Sequence, residues 1–491
     1  MEKTESQIPV DGTARGRIAL PSLGLRASER RLLLVVVDVL IVNAALIGAL
    51  VIWAGFNPAP AVILNASKWF VTATLVWLAC ASFFDCYDLA RAAAPFSGAT
   101  SCGSAALATA LVYALTPWLT PALESRGLIA TFGGFALGGV MVWRLGYAKL
   151  VIQPWFQQRA LVVGAGWAGR ALAAALRSAP EGAANPFRGT GYQLVGFVDD
   201  DPEIAGTVVE EIPVLGTRND LVSLAGRHQI DEVILAVTHR HAIHEGLFDA
   251  LLRCRELGFR VTNMSVIYER LLGRVPVEHV GRDLHMVMRM DERAGDRLYR
   301  VVKRVVDIAL ALLGLVALGV MIPLVALINA LTSSGPLFYR QPRVGQGGRT
   351  FTMLKFRSMV PEAERESGAV WASRTDERVT PVGRLLRRVR LDELPQVINV
   401  LRGEMSVIGP RPERPEFVEL LAGELPFYRA RHTVRPGITG WAQIQFDYGD
   451  SVEDAKVKLE HDLYYVKYAG PALDARILLQ TIPVMLLWRG C

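Results

Sequence analysis

Two adjacent carboxylates, Asp392 and Glu393, open the stretch LDELPQVINVLRGEMSVIGPRP at 391–412. Apolar residues follow at helical spacing, as at Leu394 and Ile398, so the sequence predicts a helix with Asp392 as its N-cap. A helix start attracts phosphate, and two carboxylates there would repel a diphosphate unless Mg²⁺ lay between them. An aspartate is ionised at neutral pH without a base, which suits nucleophilic attack on phosphorus. The alternative is an ordinary helix cap.

Cations are concentrated on both sides of this carboxylate pair. The stretch LFYRQPRVGQGGRTFTMLKFRSM at 337–359 is typical of two strands joined by a glycine turn. With a period of two, Lys355 and Arg357 project from one face of the second strand, although a solvated edge strand would look the same. Further arginines lie near the pair: Arg384, Arg387, Arg388, Arg390, Arg411, Arg431 and Arg435. Carboxylates among so many cations predict a phosphate site.

A series of motifs in this half of the chain resembles a known family. The motifs are KRVVDI, GPLFYRQPRVG, LKFRSM, TPVGRLLRR, LDELPQVINVLRGEMSVIGPRP, RPGITGWAQI and DLYYVKY. In order and spacing they resemble the bacterial sugar transferase family, the monotopic polyprenyl-phosphate hexose-1-phosphate transferases. The resemblance runs from about Lys303 to the C-terminus, and it is closest to members tied to exopolysaccharide export.

The resemblance implies a two-step reaction. Asp392 matches the family's nucleophile, which attacks the sugar-bearing phosphorus of a UDP-sugar, releases UMP and holds a covalent phosphosugar. Glu393 matches the partner associated with Mg²⁺ or Mn²⁺. Undecaprenyl phosphate then accepts the sugar 1-phosphate, with glucose as our first hypothesis for the sugar. Such a transfer would initiate the repeat units of exopolysaccharide, capsule or O-antigen.

Further site residues are implied by the same resemblance. The positions that would bind substrate phosphates are Lys355, Arg357, Arg384, Arg411 and Arg435. Asp462, in the stretch HDLYYVKY, is a further candidate near the metal, together with Asp392 and Glu393. An ordinary acid on a helix surface is the alternative for Asp462.

The apolar run at 305–331 is long enough to span a bilayer but contains Pro323. In the family that the chain resembles, such a break makes a re-entrant helix that enters and leaves the membrane by one face. Lys303 and Arg304 would anchor its start among head groups. Family members usually carry serine where this chain has Ile322, and a kinked spanning helix is the alternative.

The N-terminal region predicts a membrane bundle. Four apolar stretches, each close to the length of a spanning helix, precede residue 152: 31–56, 67–86, 101–120 and 128–151. Basic residues at both ends predict cytoplasmic termini, with the catalytic domain facing the cytoplasm of a bacterial inner membrane. Within the first stretch, Asp38 and Asn43 predict polar contacts inside the bundle.

The tyrosines near the C-terminus and the cysteines along the chain indicate structure but no particular chemistry. Tyr464, Tyr465 and Tyr468, with the apolar stretch 477–488, predict either a helix in the membrane interface or a packed core helix. The five cysteines show neither metal spacing nor a paired framework, which predicts structural roles: Cys80, Cys86, Cys102, Cys254 and Cys491.

Between these regions, ALVVGAGWAGRALAAAL at 160–176 predicts strand, glycine turn and helix. Gly164, Gly166 and Gly169 fit the dinucleotide-binding pattern GxGxxG in its required context. Asp199 ends the next strand but lies about 30 residues after Gly169, against the usual ~20. The resemblance to large family members with a CoA-binding-like module implies a regulatory or dimerising role, so we expect no redox cofactor and a homodimer.

The predicted fold is therefore a transmembrane helical bundle, a cytoplasmic α/β Rossmann-like domain and an α/β monotopic transferase domain with a re-entrant helix. Predicted boundaries are a disordered tail at 1–28, a bundle at 29–152, a Rossmann-like domain at 158–290 and the transferase domain at 297–491. The net charge of +6 is spread along the chain and fits anionic lipid better than nucleic acid. The rival hypotheses are a membrane-bound nucleotide-sugar dehydratase or epimerase, which would need a second dinucleotide fold, and a non-catalytic assembly scaffold.

Overall fold

The computed structural model describes residues 27–55, 66–93, 95–115, 126–151, 157–177, 191–237, 243–277, 287–289, 296–332, 335–360, 378–446 and 451–486 of the 491-residue chain. Most of the predicted tail at 1–28 and Cys491 lie outside these residues. The described cysteines Cys80, Cys86, Cys102 and Cys254 are free thiols.

The four N-terminal apolar stretches all contain helices, and two of these have the length and composition predicted for membrane spans. The helices of this region are α1 (Ala27–Ala54), α2 (Ser67–Phe83), α3 (Leu89–Ala93), α4 (Pro95–Ala114) and α5 (Arg126–Gly146), which a π-helical turn extends to Val151. Two of the helices, over Glu29–Trp53 and Gly127–Lys149, are long and apolar enough to cross a membrane. Alanines dominate their shared core, which lets the helix backbones approach closely.

Polar groups inside the bundle contact each other, as expected for Asp38 and Asn43. The Arg144 guanidinium donates to Asp38 Oδ2 at 2.6 Å, and both side chains are buried. Asn43 donates to the Thr74 hydroxyl at 2.9 Å. These contacts tie α5 and α2 to α1, so both polar residues of the first stretch have partners within the bundle.

The middle of the chain forms one six-stranded sheet. Its strands are β1 (Gln158–Val163), β2 (Tyr192–Val198), β3 (Val208–Val209), β4 (Ile212–Gly216), β5 (Glu232–Leu235) and β6 (Arg260–Asn263), in the order β3-β4-β2-β1-β5-β6. The flanking helices are α6 (Trp167–Leu176), α7 (Leu221–Arg227), α8 (Glu245–Glu256) and α9 (Met264–Leu272). Every pair is parallel except β3 with β4, which is the pattern of a Rossmann-like fold.

The C-terminal region is a mixed α/β unit with two small sheets. Its strands are β7 (Phe338–Val344), β8 (Thr350–Phe356), β9 (Ser406–Ile408) and β10 (Gly437–Thr439). Its helices are α10 (Asp296–Thr332), α11 (Pro381–Arg388), α12 (Val397–Arg402), α13 (Pro415–Glu424), α14 (Trp441–Gln445), α15 (Val452–Tyr468) and α16 (Pro471–Leu486). β7 and β8 form the predicted antiparallel hairpin, and β9 pairs with β10 in parallel.

The long helix α10 begins at Asp296, nine residues before the predicted apolar run, and continues through Pro323 to Thr332. It is a third helix with the length and composition of a membrane span. Lys303 and Arg304, which are predicted to anchor among head groups, also bind protein atoms. Lys303 Nζ lies 2.9 Å from Asp474 Oδ2, and Arg304 donates to the carbonyl oxygens at the end of α12.

The Rossmann-like domain is joined to the transferase unit through buried polar contacts. Lys467 and Tyr468 both bond to the carboxylate of Glu269 on α9, at 2.6–3.0 Å. Tyr465 is buried and donates to Asp474 at 2.9 Å, while the Tyr464 ring stacks on Trp441. Tyr464 and Tyr465 are therefore packed within the protein, whereas Tyr468 is 40% exposed, and the end of the stretch 477–488 lies outside the described residues.

Candidate active site

The carboxylate pair lies on a 3₁₀ turn, not at the start of an α-helix. The turn spans Leu391–Gln396, and the α-helix begins only at Val397. Pro395 has no N–H to donate to the Leu391 carbonyl, as an α-helix that started at Leu391 would need. The residue at the cap position is Arg390, with a left-handed φ of 55°, so the N-cap predicted for Asp392 is wrong. Such a backbone conformation is unfavourable for arginine, so the surrounding structure must hold it in place.

Glu393 is held by two cations. Arg411 Nη2 lies 2.5 Å from Glu393 Oε1, and Lys355 Nζ lies 3.5 Å from the same oxygen. Glu393 is only 7% exposed, and its burial alone would raise its pKa. The Arg411 and Lys355 charges outweigh burial and hold the pKa of Glu393 well below its usual range, so this carboxylate stays ionised.

Asp392 has a different environment although it is the next residue. It is also 7% exposed, yet within the described part of the chain no side chain or backbone N–H donates a hydrogen bond to its carboxylate. Burial and the negative charge of Glu393 raise the pKa of Asp392, while Lys355, Arg387 and Arg411 oppose that rise. A carboxylate with attractive charges nearby but no hydrogen-bond donor is suited to act as a nucleophile.

Lys355 is positioned by an asparagine of the neighbouring helix. Asn399 on α12 is fully buried; its side chain accepts from Leu354 N at 3.1 Å and donates to the Thr352 carbonyl at 2.8 Å. The Asn399 side chain thus hydrogen-bonds to the backbone of β8 as a neighbouring strand would, and it fixes β8 against α12. Lys355 follows Leu354 directly, so its ammonium is directed at Glu393 by this contact.

Arg411 is positioned by the turn after β9 and by a second arginine. A Cβ on Gly409 would collide with the Arg435 carbonyl, so glycine lets the two backbones meet. Behind the turn, Arg431 donates to the Arg411 carbonyl at 2.8 Å and pairs with Asp462 at 2.7 Å. The fork of Arg411 is therefore held from its backbone side while its guanidinium reaches Glu393.

The predicted phosphate-binding and metal residues are not all brought together. Arg357 is buried one residue beyond the end of β8, whereas Arg384 lies on the exposed side of α11. Arg435 touches the site through its backbone at Gly409. Asp462 is paired with Arg431, and burial raises its pKa to about 6 in spite of that partner. The roles predicted for these residues stay predictions.

The residues present fit a divalent cation of the Mg²⁺ class. In the described part of the chain no group of three or more metal-binding side chains occurs. Mg²⁺, however, is commonly held by one or two carboxylates together with substrate phosphates and water. Asp392 and Glu393 supply such a pair, and a cation beside them would relieve the repulsion that raises the pKa of Asp392. Asp392 and Glu393 are the residues that would hold it.

Sequence reasoning missed Asn399 and the supporting contacts of Arg431, which it had counted only among the cations. Arg431 and Asn399 are both buried, and neither lies next to the carboxylate pair in the chain. Their residue types carried a signal, since an asparagine inside an apolar helix and an arginine in a turn must find partners when buried. The identity of those partners depends on how β8 and β9 are brought against α12.

The glycine loop of the Rossmann-like domain forms as predicted between β1 and α6. A Cβ on Gly169 would collide with the Gly164 carbonyl, so the third glycine permits close packing of helix and loop. Asp199 follows β2, and its Oδ2 accepts from Ala165 N in the loop at 2.6 Å. Its Oδ1 accepts from Asp201 N at 3.0 Å. The Ala165 N–H, a donor that a bound phosphate would need, therefore already donates to the Asp199 carboxylate.

Two family models match the chain. The bacterial sugar transferase model matches residues 298–488, and a CoA-binding domain model matches residues 82–244. The first match contains the carboxylate pair and the cations around it, and the second contains the glycine loop.

Curated relatives were found as well. The UDP-N-acetylgalactosamine-undecaprenyl-phosphate N-acetylgalactosaminephosphotransferase of Aeromonas hydrophila is 40% identical over 48% of this chain and 54% of its own length. The undecaprenyl-phosphate glucose phosphotransferase of Komagataeibacter xylinus is 38% identical over 59% and 53%. The UDP-glucose:undecaprenyl-phosphate glucose-1-phosphate transferase of Caulobacter vibrioides is 40% identical over 40% of this chain and 74% of its own length. The chain thus spans about half the length of the first two relatives.

Proposed function

Because the chain belongs to the bacterial sugar transferase family, we propose that it transfers a sugar 1-phosphate from a UDP-sugar to undecaprenyl phosphate. The observation that carries this proposal is the contrast within the carboxylate pair. Glu393 is bound by Arg411 and Lys355, while Asp392, buried beside them, has no hydrogen-bond donor among the described residues. That arrangement supplies a nucleophile and a cationic surface for phosphate in one place.

In the first step, an Asp392 oxygen attacks the phosphorus that carries the sugar. An oxygen–phosphorus bond forms to Asp392 and the bond to the bridging oxygen breaks, so that UMP leaves with the electron pair. Arg411 and Lys355, which both contact the neighbouring Glu393, would stabilise the negative charge on the transferring phosphoryl group. Glu393 orients both cations, since its carboxylate contacts both.

In the second step, a phosphate oxygen of undecaprenyl phosphate attacks the same phosphorus. The bond to Asp392 breaks, the carboxylate is restored and the lipid carries a diphosphate-linked sugar. A bound Mg²⁺ or Mn²⁺ would supply charge neutralisation for the diphosphate of the donor. No proton transfer to the leaving group is required, because UMP leaves as a phosphate anion.

The sugar is the finer part of the proposal. The relatives described above include transferases named for glucose and for N-acetylgalactosamine. We propose glucose as the first donor to test, with the acetamido sugar as its competitor. The product would start a polysaccharide repeat unit, as the resemblance to transferases of exopolysaccharide synthesis implies.

We further propose that α10 stays on one side of the membrane. Arg304 and Val325 both contact the transferase unit, and the helix between them is about 31 Å long, which is about the thickness of a bilayer core. A helix crossing the bilayer could not keep those contacts with a cytoplasmic domain. Its opposite face is apolar and exposed, as at Val316 and Val320, which supports a monotopic or re-entrant course facing the cytoplasm.

The decisive experiment measures UMP release by the detergent-solubilised chain from a panel of UDP-sugars with Mg²⁺. Without lipid acceptor we expect one UMP per polypeptide from the true donor, since the covalent intermediate cannot turn over. Asp392→Asn should abolish that burst while the protein still unfolds at the same temperature. Failure of every UDP-sugar to release UMP from folded protein would refute the proposed reaction.

A further inference from the structure

An apolar cavity of about 170 Å³ lies next to the carboxylate pair. It lies between the 3₁₀ turn and α12 on one side and β10, α14 and α16 on the other, and its apolar lining is Leu391, Leu394, Val397, Ile438 and Ile444. We propose that this cavity holds the first isoprene unit of the acceptor lipid, the unit bonded to its phosphate. The assignment rests on the transfer reaction proposed above.

The lining suits a hydrocarbon better than a sugar or a base. Thr439 and Thr481 also line the cavity, but their hydroxyls bond to each other at 2.8 Å. The Gln443 amide nitrogen is bonded to the Ile438 carbonyl at 3.2 Å, which leaves Gln443 Oε1 as a single acceptor. A hexose or uracil brings several polar groups that would each need a partner, and burying them without partners would be unfavourable.

The size and the charged part of the lining match a prenyl phosphate. An apolar cavity of about 150 Å³ is large enough to hold benzene, so the five carbons of one isoprene unit would fit here. Arg390 and Glu393 are the charged residues of the lining, and the Arg390 charge acts on Glu393. An isoprene in the cavity would place its phosphate beside Arg390, which is two residues before the nucleophile Asp392.

The cavity is also next to the elements through which the chain meets the membrane. The backbone of α10 touches one wall, because a Cβ on Gly314 would collide with Val397. On the other wall, Gln480 precedes Thr481 and donates to Asp85, at the end of the bundle helix α2, at 2.6 Å. A lipid at the cytoplasmic surface of the bundle would thus reach the cavity without leaving the protein surface.

The test fills the cavity and measures the two half-reactions separately. Thr481→Leu puts a larger apolar side chain into the cavity, and Ala475→Leu adds more bulk on the exposed side of the same helix as the matched control. With undecaprenyl phosphate in mixed micelles, we expect Thr481→Leu to raise the acceptor KM on the order of tenfold, the effect of excluding roughly two buried methylene groups. The UMP burst without acceptor should be unchanged in both variants.

Other outcomes contradict the assignment. A raised donor KM or a smaller UMP burst in Thr481→Leu would place the donor in the cavity, and unchanged kinetics would show that the acceptor does not enter it. An unaltered chain that releases no UMP would instead refute the transfer reaction, and the cavity assignment with it. Ile444→Phe fills the same space from α14 and replaces Thr481→Leu should the loss of the threonine pair prevent folding.

A second measurement does not depend on kinetics. An undecaprenyl phosphate analogue with a diazirine on its first isoprene unit should label residues 391–397 or 438–444 of the full chain, and excess undecaprenyl phosphate should suppress that labelling. Labelling confined to other segments would refute the proposal. Suppression by phosphatidylglycerol to the same extent would also refute it, since the site would then take lipid chains in general.

Discussion

Two aspartates of this chain lie beside sequences that predict phosphate binding, and the structure treats them in opposite ways. Both oxygens of Asp199 accept hydrogen bonds from backbone N–H groups of its own domain. Asp392 receives no such bond within the described residues, and its neighbour Glu393 takes both close cations. A carboxylate whose two oxygens each accept a backbone N–H holds a loop together, whereas one that accepts no such bond and lies among positive charges can attack an electrophile.

The same contrast separates Asp392 from the other buried acids. Asp38 is paired with Arg144 and Asp462 with Arg431, in each case by a contact of 2.6–2.7 Å. Burial alone therefore does not identify the reactive acid. The distinguishing feature is a buried carboxylate whose nearest cations are engaged by an adjacent carboxylate.

The largest expected effect comes from exchanging the two aspartates for asparagine one at a time. Asp392→Asn removes the nucleophile and should lower formation of the lipid-linked product by at least about 10³-fold. Asp199→Asn should leave the rate within about twofold, because the changed group is a loop contact; a loss of about 1 kcal/mol in stability is expected. Assays of the lipid-linked product and thermal unfolding of both variants measure these effects. A large rate loss in Asp199→Asn would contradict the structural role assigned to Asp199.

Removal of Arg431 tests how much the buried carboxylate of Asp462 depends on its ion pair with Arg431. Arg431→Met leaves Asp462 buried without its cation, which should destabilise the protein by about 3–5 kcal/mol. The double variant Arg431→Met, Asp462→Asn removes both charges and should recover much of this loss. Unfolding midpoints in detergent measure the effect; equal destabilisation in both variants would show that the ion pair contributes little.

The pH dependence of the UMP burst should sharpen the contrast within the carboxylate pair. The raised pKa of Asp392 means that protonation removes its nucleophilic form at a pH above the usual value of about 3.9. At limiting Mg²⁺ the burst rate should therefore rise with pH through that folded pKa, by about tenfold per unit on the acidic side, and saturating Mg²⁺ should move the rise to lower pH because it relieves the repulsion from Glu393. Glu393, with its pKa lowered, stays ionised over the same range. A burst rate that is flat down to about pH 4 at limiting Mg²⁺ would contradict the raised pKa.

The smallest expected effect concerns the glycine loop. Since Asp199 already occupies the Ala165 amide, adding NAD or coenzyme A should not shift the unfolding temperature of the protein. Asp199→Ala frees that amide and removes a negative charge, so any weak binding should appear first in this variant. A concentration-dependent shift in the unaltered chain would show that the loop accepts a dinucleotide or coenzyme despite the carboxylate.

Much of the site could be predicted from the sequence because its parts are local. Asp392 and Glu393 are adjacent, and the strand period correctly directed Lys355 to the charged centre. The glycine spacing likewise predicted the loop between β1 and α6. The N-cap prediction is wrong because the chain turns two residues earlier, at Arg390 with its left-handed φ, and continues as a 3₁₀ turn through Asp392. Lys303 and Arg304 are predicted to lie among head groups because a basic start to an apolar run is typical of membrane anchors; the sequence did not reveal their carboxylate and carbonyl partners in the protein.

By itself, the sequence determined which chemistry is available: an adjacent acid pair, a lysine on a strand, a fork-shaped cation in a rigid turn and apolar helices that need a membrane or a core. Tertiary structure alone decided which carboxylate of the pair each cation binds. Arg411 and Lys355 could each have neutralised Asp392, but the packing of β8 and the turn after β9 against α12 brings both to Glu393. The reason is physical: electrostatic and hydrogen-bond energies depend on distances of a few ångströms between segments that are far apart in the chain.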